Sequence, residues 1–476
     1  MSDILYIALV LVLLGIWTLT LIYSMQMFQQ NSYKADRFLR WSRGKVFRKF
    51  WKRGKKVRFV MTPRMWRLFV TATLIFIVFC IFRLYILIAL ALIFTDYTML
   101  LANAINIPIN NAVRNWYIRD AKRILAAHKD LVIIGVTGSY GKTSTKNYLY
   151  RMLSEKYNTL ITPGNFNTTM GVVRTVREHL KPYHQVFIVE MGAKQPGDIK
   201  EICDLVHPVI GVVTSVGQMH LETFKTVENI QETKFELIRS LPSDGLGIIN
   251  MDSEGIASYT DIPDNCRIAR YGIKAEGLDY KAENISCSAS GTDFDVNGEH
   301  IHTSLVGACN ILNILAAIAV ATKLGVSAEK QRIAASKLQQ VEHRLSVSFK
   351  GGMTILDDAY NSNPEGARMA LDVLKNLSLP QGAKRIVVTP GFVELGSRQE
   401  SEDRLLGEEI GGVADILIIV NRYNRDALFS GARSSGMPEE RIICADTLTD
   451  AVQQLSGLVS PGDAVLYEND LPDTFK

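Results

Sequence analysis

The segment from Ile133 to Leu149, which reads IIGVTGSYGKTSTKNYL, restricts the fold more than any other part of this chain. A hydrophobic run meets a glycine-rich turn, and a helix-forming stretch opens at Lys142. In such a turn backbone N–H groups crowd around phosphates, the lysine neutralises terminal phosphates, and the next hydroxyl can ligate Mg²⁺. Val136 stands where the common form of the loop has its first glycine. The residues expected to hold a nucleotide are Thr137, Gly138, Ser139, Gly141, Lys142, Thr143 and Ser144.

Short β-branched runs alternate with helix-length segments from Leu131 onward, and this alternation predicts a doubly wound α/β sheet. Residues 279–302 show polar and β-prone alternation, which predicts a small antiparallel insert. A second α/β series begins near Met353, so a hinge is expected at residues 343–352. We therefore expect a P-loop domain at residues 111–345 and a Rossmann-like α/β domain at residues 346–476.

Two further polar side chains follow predicted strands of the first series. Glu190 ends the run VFIVE, and His220 follows the run VIGVVTSV. Ligands of parallel α/β sheets bind at the carboxyl ends of the strands, where the phosphate loop also lies. Carboxylate oxygens are ligands of Mg²⁺. The sequence therefore predicts a metal and phosphate site that includes Glu190 and His220, although His220 alone would be an ordinary loop residue.

The first 110 residues differ from the rest because they contain two long apolar stretches. Residues 4–28 carry no charge and exceed the roughly 20 residues that cross a bilayer, which predicts an uncleaved transmembrane helix. Residues 68–105 are interrupted by Arg83 and Asp96. They predict either two short spans or a re-entrant hairpin, with Arg83 at the far interface. An amphipathic helix at residues 111–129 should then leave the membrane.

The segment between the apolar stretches, residues 27–67, contains 14 Lys and Arg residues and one acid, Asp36. Because basic loops remain on the cytoplasmic side, loop 29–67 and the α/β domains should be cytoplasmic. Its interleaved aromatic residues suit an anionic membrane surface, so membrane lipids are expected partners. The remainder of the chain is net acidic, so nucleic acid is not indicated. Six cysteines without a CxxC pair indicate neither a zinc site nor a disulfide framework.

Nine motifs, in order, resemble those of the muramyl (Mur) ligase family, and most closely its D-alanyl-D-alanine-adding type. They are TGSYGKT, TPGNFNTTMG, EMGA, GQMHLE, QETKFELI, the Asn310-x-x-Asn313 helix start, His343-Arg344-Leu345, DDAYNSNP and TPGFVELG. The resemblance covers the chain from about Leu131. It implies an ATP-dependent carboxylate–amine ligase of peptidoglycan precursor synthesis that works through an acyl phosphate.

The resemblance also implies roles for individual residues. Lys142 would hold ATP phosphates, and Thr143 and Glu190 would bind Mg²⁺, with His220 at a second metal position. Lys234 matches a lysine that many members carry as a carbamate, and it would act as a metal ligand. The residues implied on the nucleotide side are Asn310 and Arg344, and those implied on the substrate side are Asn165, Asn167, Thr168, Asp358, Tyr360 and Asn361.

The sequence departs from the family in two places. Cys309 precedes Asn310 where the family often has histidine, and the family's UDP-gripping N-terminal domain has no counterpart. The acceptor could therefore be a UDP-linked muramyl peptide or a lipid-linked precursor, and the amine D-Ala-D-Ala or an amino acid. The alternatives are a poly-γ-glutamate synthetase, a non-catalytic ATP-binding membrane scaffold, and a P-loop transport ATPase, whose LSGGQ signature is not present.

Overall fold

The computed structural model of the chain describes residues 3–31, 33–43, 59–219, 221–288, 291–360 and 363–470. These residues form two compact units, of which the first extends to Tyr117 and the second begins at Ile118. The first unit is helical, and the second contains both α/β series.

The helical unit contains the two apolar stretches. Its helices are α1 (Asp3–Gln30), α2 (Ala35–Arg43), α3 (Pro63–Ile81), α4 (Tyr85–Ile93) and α5 (Thr95–Ala126), the last of which continues into the second unit. Among the described residues α1 and α3 are long and apolar enough to cross a membrane. The pair α4 and α5 is bent by 97° at its break, as in a broken span or a re-entrant loop.

The second apolar stretch breaks at Arg83, as expected, and again near Phe94, two residues before Asp96. Arg83 has a φ of 53° in the turn between α3 and α4, and its guanidinium lies 2.6 Å from Asp3. The amphipathic segment at 111–129 is not a separate helix, because α5 runs without interruption through Pro108.

Stacking and a buried carboxylate hold the helical unit together. The rings of Trp17 and Phe76 stack at 4.7 Å between α1 and α3. Asp96 is buried at the start of α5 and accepts hydrogen bonds from the hydroxyls of Ser24 and Ser42. A buried carboxylate is costly unless hydrogen-bonded, so these serines fix α1 and α2 against α5.

The second unit begins with a parallel sheet in which seven described strands are ordered β2-β3-β1-β4-β5-β6-β7. The strands are β1 (Val132–Thr137), β2 (Thr159–Ile161), β3 (Val186–Glu190), β4 (Ile210–Val213), β5 (Leu246–Asn250), β6 (Arg267–Gly272) and β7 (Tyr280–Lys281). The helices between them are α6 (Lys142–Leu153), α7 (Thr169–His179), α8 (Asp198–Val206), α9 (Leu221–Phe224), α10 (Val227–Arg239) and α11 (Glu254–Ala257). The strand order confirms the doubly wound sheet.

The predicted insert is an antiparallel sheet ordered β10-β9-β8 among the described residues. Its strands are β8 (Glu283–Ser288), β9 (Gly291–Val296) and β10 (Glu299–Thr303), and helices α12 (Ala308–Lys323) and α13 (Ala328–Ser336) follow. Helix α12 is apolar almost all round, and it is buried from Asn310 to Ala321 against the parallel sheet. A helix without a polar face is stable only in such a core.

The second α/β series forms a sheet in which the described strands are ordered β11-β12-β16-β13-β14-β15. The strands are β11 (Ser346–Lys350), β12 (Met353–Asp358), β13 (Arg385–Thr389), β14 (Ile416–Val420), β15 (Ile442–Ala445) and β16 (Ala464–Glu468). The helices are α14 (Pro364–Asn376), α15 (Gln399–Gly411), α16 (Arg425–Ser434) and α17 (Leu448–Ser456). The expected hinge at 343–352 thus contains β11, an antiparallel edge strand on β12, since its alternating SVSFK pattern suits a strand with one exposed face.

Candidate nucleotide and metal site

The phosphate loop is tightly held between β4 and α12. The φ angles of Gly138 and Gly141 are 153° and 78°, and a Cβ added at Gly141 would lie 2.6 Å from Oδ1 of Asn313. The backbone N–H of Tyr140 donates to Oγ of Ser215 at 2.8 Å. Only glycine accepts this combination of backbone angle and close approach, which explains the two glycines of the motif.

Lys142 is the first residue of α6, and its side chain folds back over the loop. Its ammonium donates to the carbonyls of Gly138 at 2.6 Å and Ser139 at 3.1 Å. Burial lowers the pKa of Lys142 to about 8. An ammonium at the N-terminus of a helix, above exposed backbone amides, is a site for an anion such as a phosphate.

Glu190 ends β3 next to this loop and is only 1% exposed. Its Oε1 accepts a hydrogen bond from the amide of Asn167 at 3.1 Å, and Nζ of Lys146 lies 3.0 Å from Oε2. Oε2 has no partner with hydrogen-bond geometry, so the Lys146 contact is an ion pair. Burial raises the pKa of Glu190, but the ammonium groups of Lys146 and Lys142 outweigh it and bring the pKa below its ordinary value.

A Mg²⁺ ion fits these residues. The Oε2 of Glu190 is buried beside the phosphate loop and has an unused hydrogen-bonding position. Within the described parts of the chain, no three His, Cys, Asp or Glu side chains converge on one point. Mg²⁺ usually binds one or two carboxylates together with phosphate oxygens and water, so one carboxylate beside a phosphate loop is an appropriate ligand set.

Lys146 is the residue of this site that the sequence analysis missed. It is 1% exposed and lies one helical turn after Lys142. Lys146 lies outside the TGSYGKT motif and was therefore given no role. A lysine four residues after Lys142 nevertheless lies on the same face of the helix as Lys142. That spacing was the available signal.

Lys234 lies on α10 and is 4% exposed, so it is not a surface lysine. Burial, assisted by the positive charge of Lys142, lowers its pKa to about 7. His220 and Asn361, which the sequence analysis also assigned to the site, lie outside the described residues.

Asn310, which the sequence analysis assigned to the nucleotide side, lines a small cavity beside the loop together with Arg344 and Asp358. The Oδ1 of Asn310 accepts a hydrogen bond from the hydroxyl of Tyr148 at 2.7 Å, and its amide donates to the carbonyl of Val306. Asn310 is therefore held in one orientation. Enclosure raises the pKa of Asp358 to about 6, and the positive charge of Arg344 opposes this shift.

The second α/β series contacts the phosphate loop directly. The hydroxyl of Tyr140 donates to Oε1 of Glu365 at 2.7 Å, in the first turn of α14. A second small cavity is lined by five consecutive residues of the loop, 140–144, and by Arg344. Residues from both sequence series thus surround the place expected for the phosphates.

The motif TPGNFNTTMG provides three candidate substrate residues, and each has a structural partner. The amide of Asn165 donates to the hydroxyl of Tyr360 at 2.9 Å, and that of Asn167 donates to Glu190. Thr168 is the N-cap of α7 and accepts from the backbone N–H of Gly171. Thr168 therefore has a helix-capping role.

A larger cavity, of about 740 Å³, lies at the carboxyl ends of the strands of the second sheet. Its polar lining carries both signs of charge and amide groups, from His343, Lys350, Asp357, Asp446, Asn421 and Asn469. Sequence reasoning did not find this cavity, since its residues come from several strands and strand ends that are far apart in the sequence.

Comparison with known proteins matches both α/β regions. Residues 136–321 match the Mur ligase middle domain, and residues 343–467 match the Mur ligase glutamate ligase domain. The UDP-N-acetylmuramoyl-tripeptide–D-alanyl-D-alanine ligase of Synechocystis sp. is 30% identical over 348 residues, which are 71% of this chain and 71% of the relative. The enzyme of that name from Mycobacterium tuberculosis is 32% identical over 71% of this chain and 70% of the relative.

Solved structures agree with the sequence relatives. MurF from Acinetobacter baumannii superposes with a TM-score of 0.68 at 26% identity, over 75% of this chain and 77% of that one. MurF from Thermotoga maritima, solved in complex with ADP, superposes with a TM-score of 0.65 at 27% identity, over 75% of this chain and 80% of that one.

Proposed function

This chain belongs to the Mur ligase family, and from that premise we propose that it joins D-alanyl-D-alanine to UDP-N-acetylmuramoyl-tripeptide. It is an ATP-dependent carboxylate–amine ligase of peptidoglycan precursor synthesis. The relatives favour this function over a poly-γ-glutamate synthetase, a non-catalytic scaffold or a transport ATPase. The observation that carries the proposal is the cavity in which Arg344 faces residues 140–144 of the phosphate loop.

The residues of the loop would bind and orient the nucleotide. ATP would supply the phosphoryl group that activates the acceptor carboxylate, and Mg²⁺ held by Glu190 and Thr143 would offset its charge. The ammonium of Lys142, which now donates to two loop carbonyls, would turn to the phosphates. Arg344 would add a second cation from the side of the hinge.

The contacts between the two domains would exclude water from the activated carboxylate. Tyr140 and Glu365 close the site beside the loop, and Asn165 and Tyr360 close it beside β3. An acyl phosphate hydrolyses if water reaches it, so a site closed by both domains favours attack by the bound amine. Asp358 and Tyr360 would thus lie at the reaction centre, as would Asn165 and Asn167.

The amine would bind in the 740 Å³ cavity of the second sheet. A dipeptide carries an ammonium and a carboxylate, and the cavity offers Asp357 to the first and Lys350 to the second. Asp357 and Asp358 are neighbours in β12 and point to opposite faces. Since Asp358 lines the nucleotide cavity, β12 would end between the two substrates.

We further propose that Lys234 carries a carbamate. Carbamate formation joins the neutral amine nitrogen to the carbon of CO₂ and releases a proton, so it requires an amine that loses its proton readily. Burial lowers the pKa of Lys234 to about 7, which supports that state near neutral pH. The resulting anion would add an oxygen ligand for the metal.

The catalytic domains are proposed to be cytoplasmic and anchored to the cell membrane by α1 and α3. The matches to the family cover residues 136–321 and 343–467, so the helical unit lies outside them. A lipid-linked acceptor is the second candidate substrate, because this unit would place the site at the bilayer where such an acceptor resides.

The test is an ATP-dependent ligation assay of the detergent-solubilised full chain, with products identified by mass spectrometry. D-Ala-D-Ala, glutamate and ammonia would each be offered with UDP-linked and lipid-linked acceptors. We expect product and ADP from the muramyl tripeptide with D-Ala-D-Ala. ATP turnover that needs glutamate instead would replace the proposed substrate.

A further inference from the structure

We propose that Lys146 is a positioning residue that orients the metal carboxylate Glu190 and links it to the docking of the second α/β domain. The inference depends on the proposed ATP- and Mg²⁺-dependent function and deepens it. Lys142 has the role expected of a phosphate-loop lysine, whereas Lys146 contacts no part of the loop's anion-binding surface in the described structure.

The ammonium of Lys146 is enclosed by three oxygen atoms. It lies 3.0 Å from Oε2 of Glu190 and donates to the carbonyls of Thr162 at 3.0 Å and Gly164 at 2.8 Å. Two of the three ammonium donors are hydrogen-bonded to these carbonyls, and the contact with Glu190 is an ion pair. Because a buried cation needs such compensation, this side chain is held in one position.

The three oxygen atoms belong to two different segments. Thr162 and Gly164 are in the segment 162–167 that follows β2, whereas Glu190 is the last residue of β3. The same two segments meet twice more, where the backbone N–H of Glu190 donates to Oγ1 of Thr162 and Asn167 donates to Oε1. Lys146 therefore fixes the carboxylate to segment 162–167.

Segment 162–167 in turn reaches the second α/β domain. The amide of Asn165 donates to the hydroxyl of Tyr360 at 2.9 Å. The guanidinium of Arg344 lies over the ring of Tyr360, 4.1 Å from its centre. Docking of the domain that carries Tyr360 therefore restrains the carbonyls that hold Lys146, and through Lys146 it restrains Glu190.

The experiment measures Mn²⁺ binding to the full-length protein by electron paramagnetic resonance, with and without saturating ADP. In Lys146→Met we expect Mn²⁺ affinity in the presence of ADP to fall about tenfold to a hundredfold, the range for a lost support of a metal ligand. Affinity for ADP without metal should change by less than about threefold, since the loop and Lys142 are untouched.

Lys156→Met is the matched control. Lys156 also donates to two carbonyls, those of Leu324 and Gly325, in the same domain, but it does not contact Glu190. Its Mn²⁺ affinity should equal that of the wild type. An unchanged affinity in Lys146→Met, or an equal loss in Lys156→Met, would overturn the inference alone. A wild type that binds no Mn²⁺ with ADP would overturn the proposed function as well.

A second pair of variants keeps the inference testable if Lys146→Met does not fold. Asn165→Ala and Tyr360→Phe remove the two partners of one exposed hydrogen bond. Each should weaken Mn²⁺ binding in the presence of ADP about threefold to tenfold, and the double variant should lose no more than either single variant. Additive losses, or no loss in either variant, would show that docking is not linked to Glu190.

Discussion

In each α/β domain burial shifts the pKa of several ionisable groups towards neutral pH, lysines in the first domain and carboxyl groups in the second. In the first domain, burial lowers the pKa of Lys142 to about 8 and that of Lys234 to about 7. In the second, burial raises the pKa of Asp358 to about 6, and those of Glu365 and Asp403 to about 7. The cause is the same in both domains, because burial favours the neutral form of any group.

Similar folds can in this way divide two substrates between them. A nucleotide and an acyl phosphate are anions, so they match the domain that buries lysines. An amine arrives as a cation, so it matches the domain whose strand ends carry carboxylates. Removal of a cation from the first domain, neutralisation of an acid of the second and deletion of the helical unit each test this division.

Lys142→Ala should have the largest effect, a loss of ATP turnover of about a thousandfold or more. Removal of a group that stabilises charge on a transferred phosphoryl group typically costs this much. Lys156→Ala is the control, since it also removes a lysine that contacts two carbonyls of this domain. Circular dichroism should show both variants folded. Ligation by Lys142→Ala at the wild-type rate would refute the phosphate-loop assignment.

Lys234→Ala should reduce activity about a hundredfold, the upper part of the range for a lost metal support. If the side chain carries a carbamate, a short carboxylate added to the variant should restore part of the activity, because it supplies the missing oxygen ligand. The same carboxylate should not restore Lys142→Ala. Full activity of Lys234→Ala, or no rescue at any carboxylate concentration, would argue against the carbamate.

The sequence predicted the parts of this site that are local. The strand, glycines and helix start of the phosphate loop are contiguous, so backbone chemistry alone indicates them. The same holds for Glu190, which ends a run of apolar residues that could only be a buried strand. The doubly wound fold followed from the alternation of such runs.

The sequence could not predict pairings across long separations. The contact between Tyr140 and Glu365 joins residues 225 positions apart, and neither residue type indicates the other. In the sequence Lys234 cannot be distinguished from an exposed lysine on a helix, because its burial depends on the tertiary structure. The break near Phe94 and the continuous α5 depend on packing of helices that a hydropathy pattern does not specify.

Glu365→Gln should have a smaller effect than Lys142→Ala and Lys234→Ala: it should weaken the dependence of the protein's stability on pH. The pKa of Glu365 is raised from its ordinary 4.5 to about 7 by burial. A raised carboxyl pKa means that the group stabilises the docked form when protonated, fully below about pH 4.5, and that this contribution is lost as pH rises through about 7. One proton changes the equilibrium by at most about tenfold per pH unit.

Thermal melting of the full chain at pH 5.5 and pH 8.0 would check this. The wild type should lose more stability than Glu365→Gln between the two pH values, since the glutamine cannot ionise. Tyr140→Phe is the control that removes the hydrogen bond but keeps the carboxyl group. Identical pH dependence in the wild type and Glu365→Gln would show that the carboxyl does not titrate on docking.

Removal of residues 1–110 should have the smallest effect on a soluble acceptor. If the first and second α/β domains together bind both substrates, kcat/KM for the UDP-linked tripeptide should change by less than about threefold. A lipid-linked acceptor should lose much more, because confinement to the bilayer raises its effective concentration only while the enzyme is confined too. The measurement is kcat/KM of each acceptor with the intact and the shortened chain at equal ATP turnover. It distinguishes a helical unit that only anchors the enzyme from one that also binds substrate. Equal use of both acceptors by both chains would make the helical unit a tether alone, and loss of the UDP-linked reaction would mean that the two domains do not suffice.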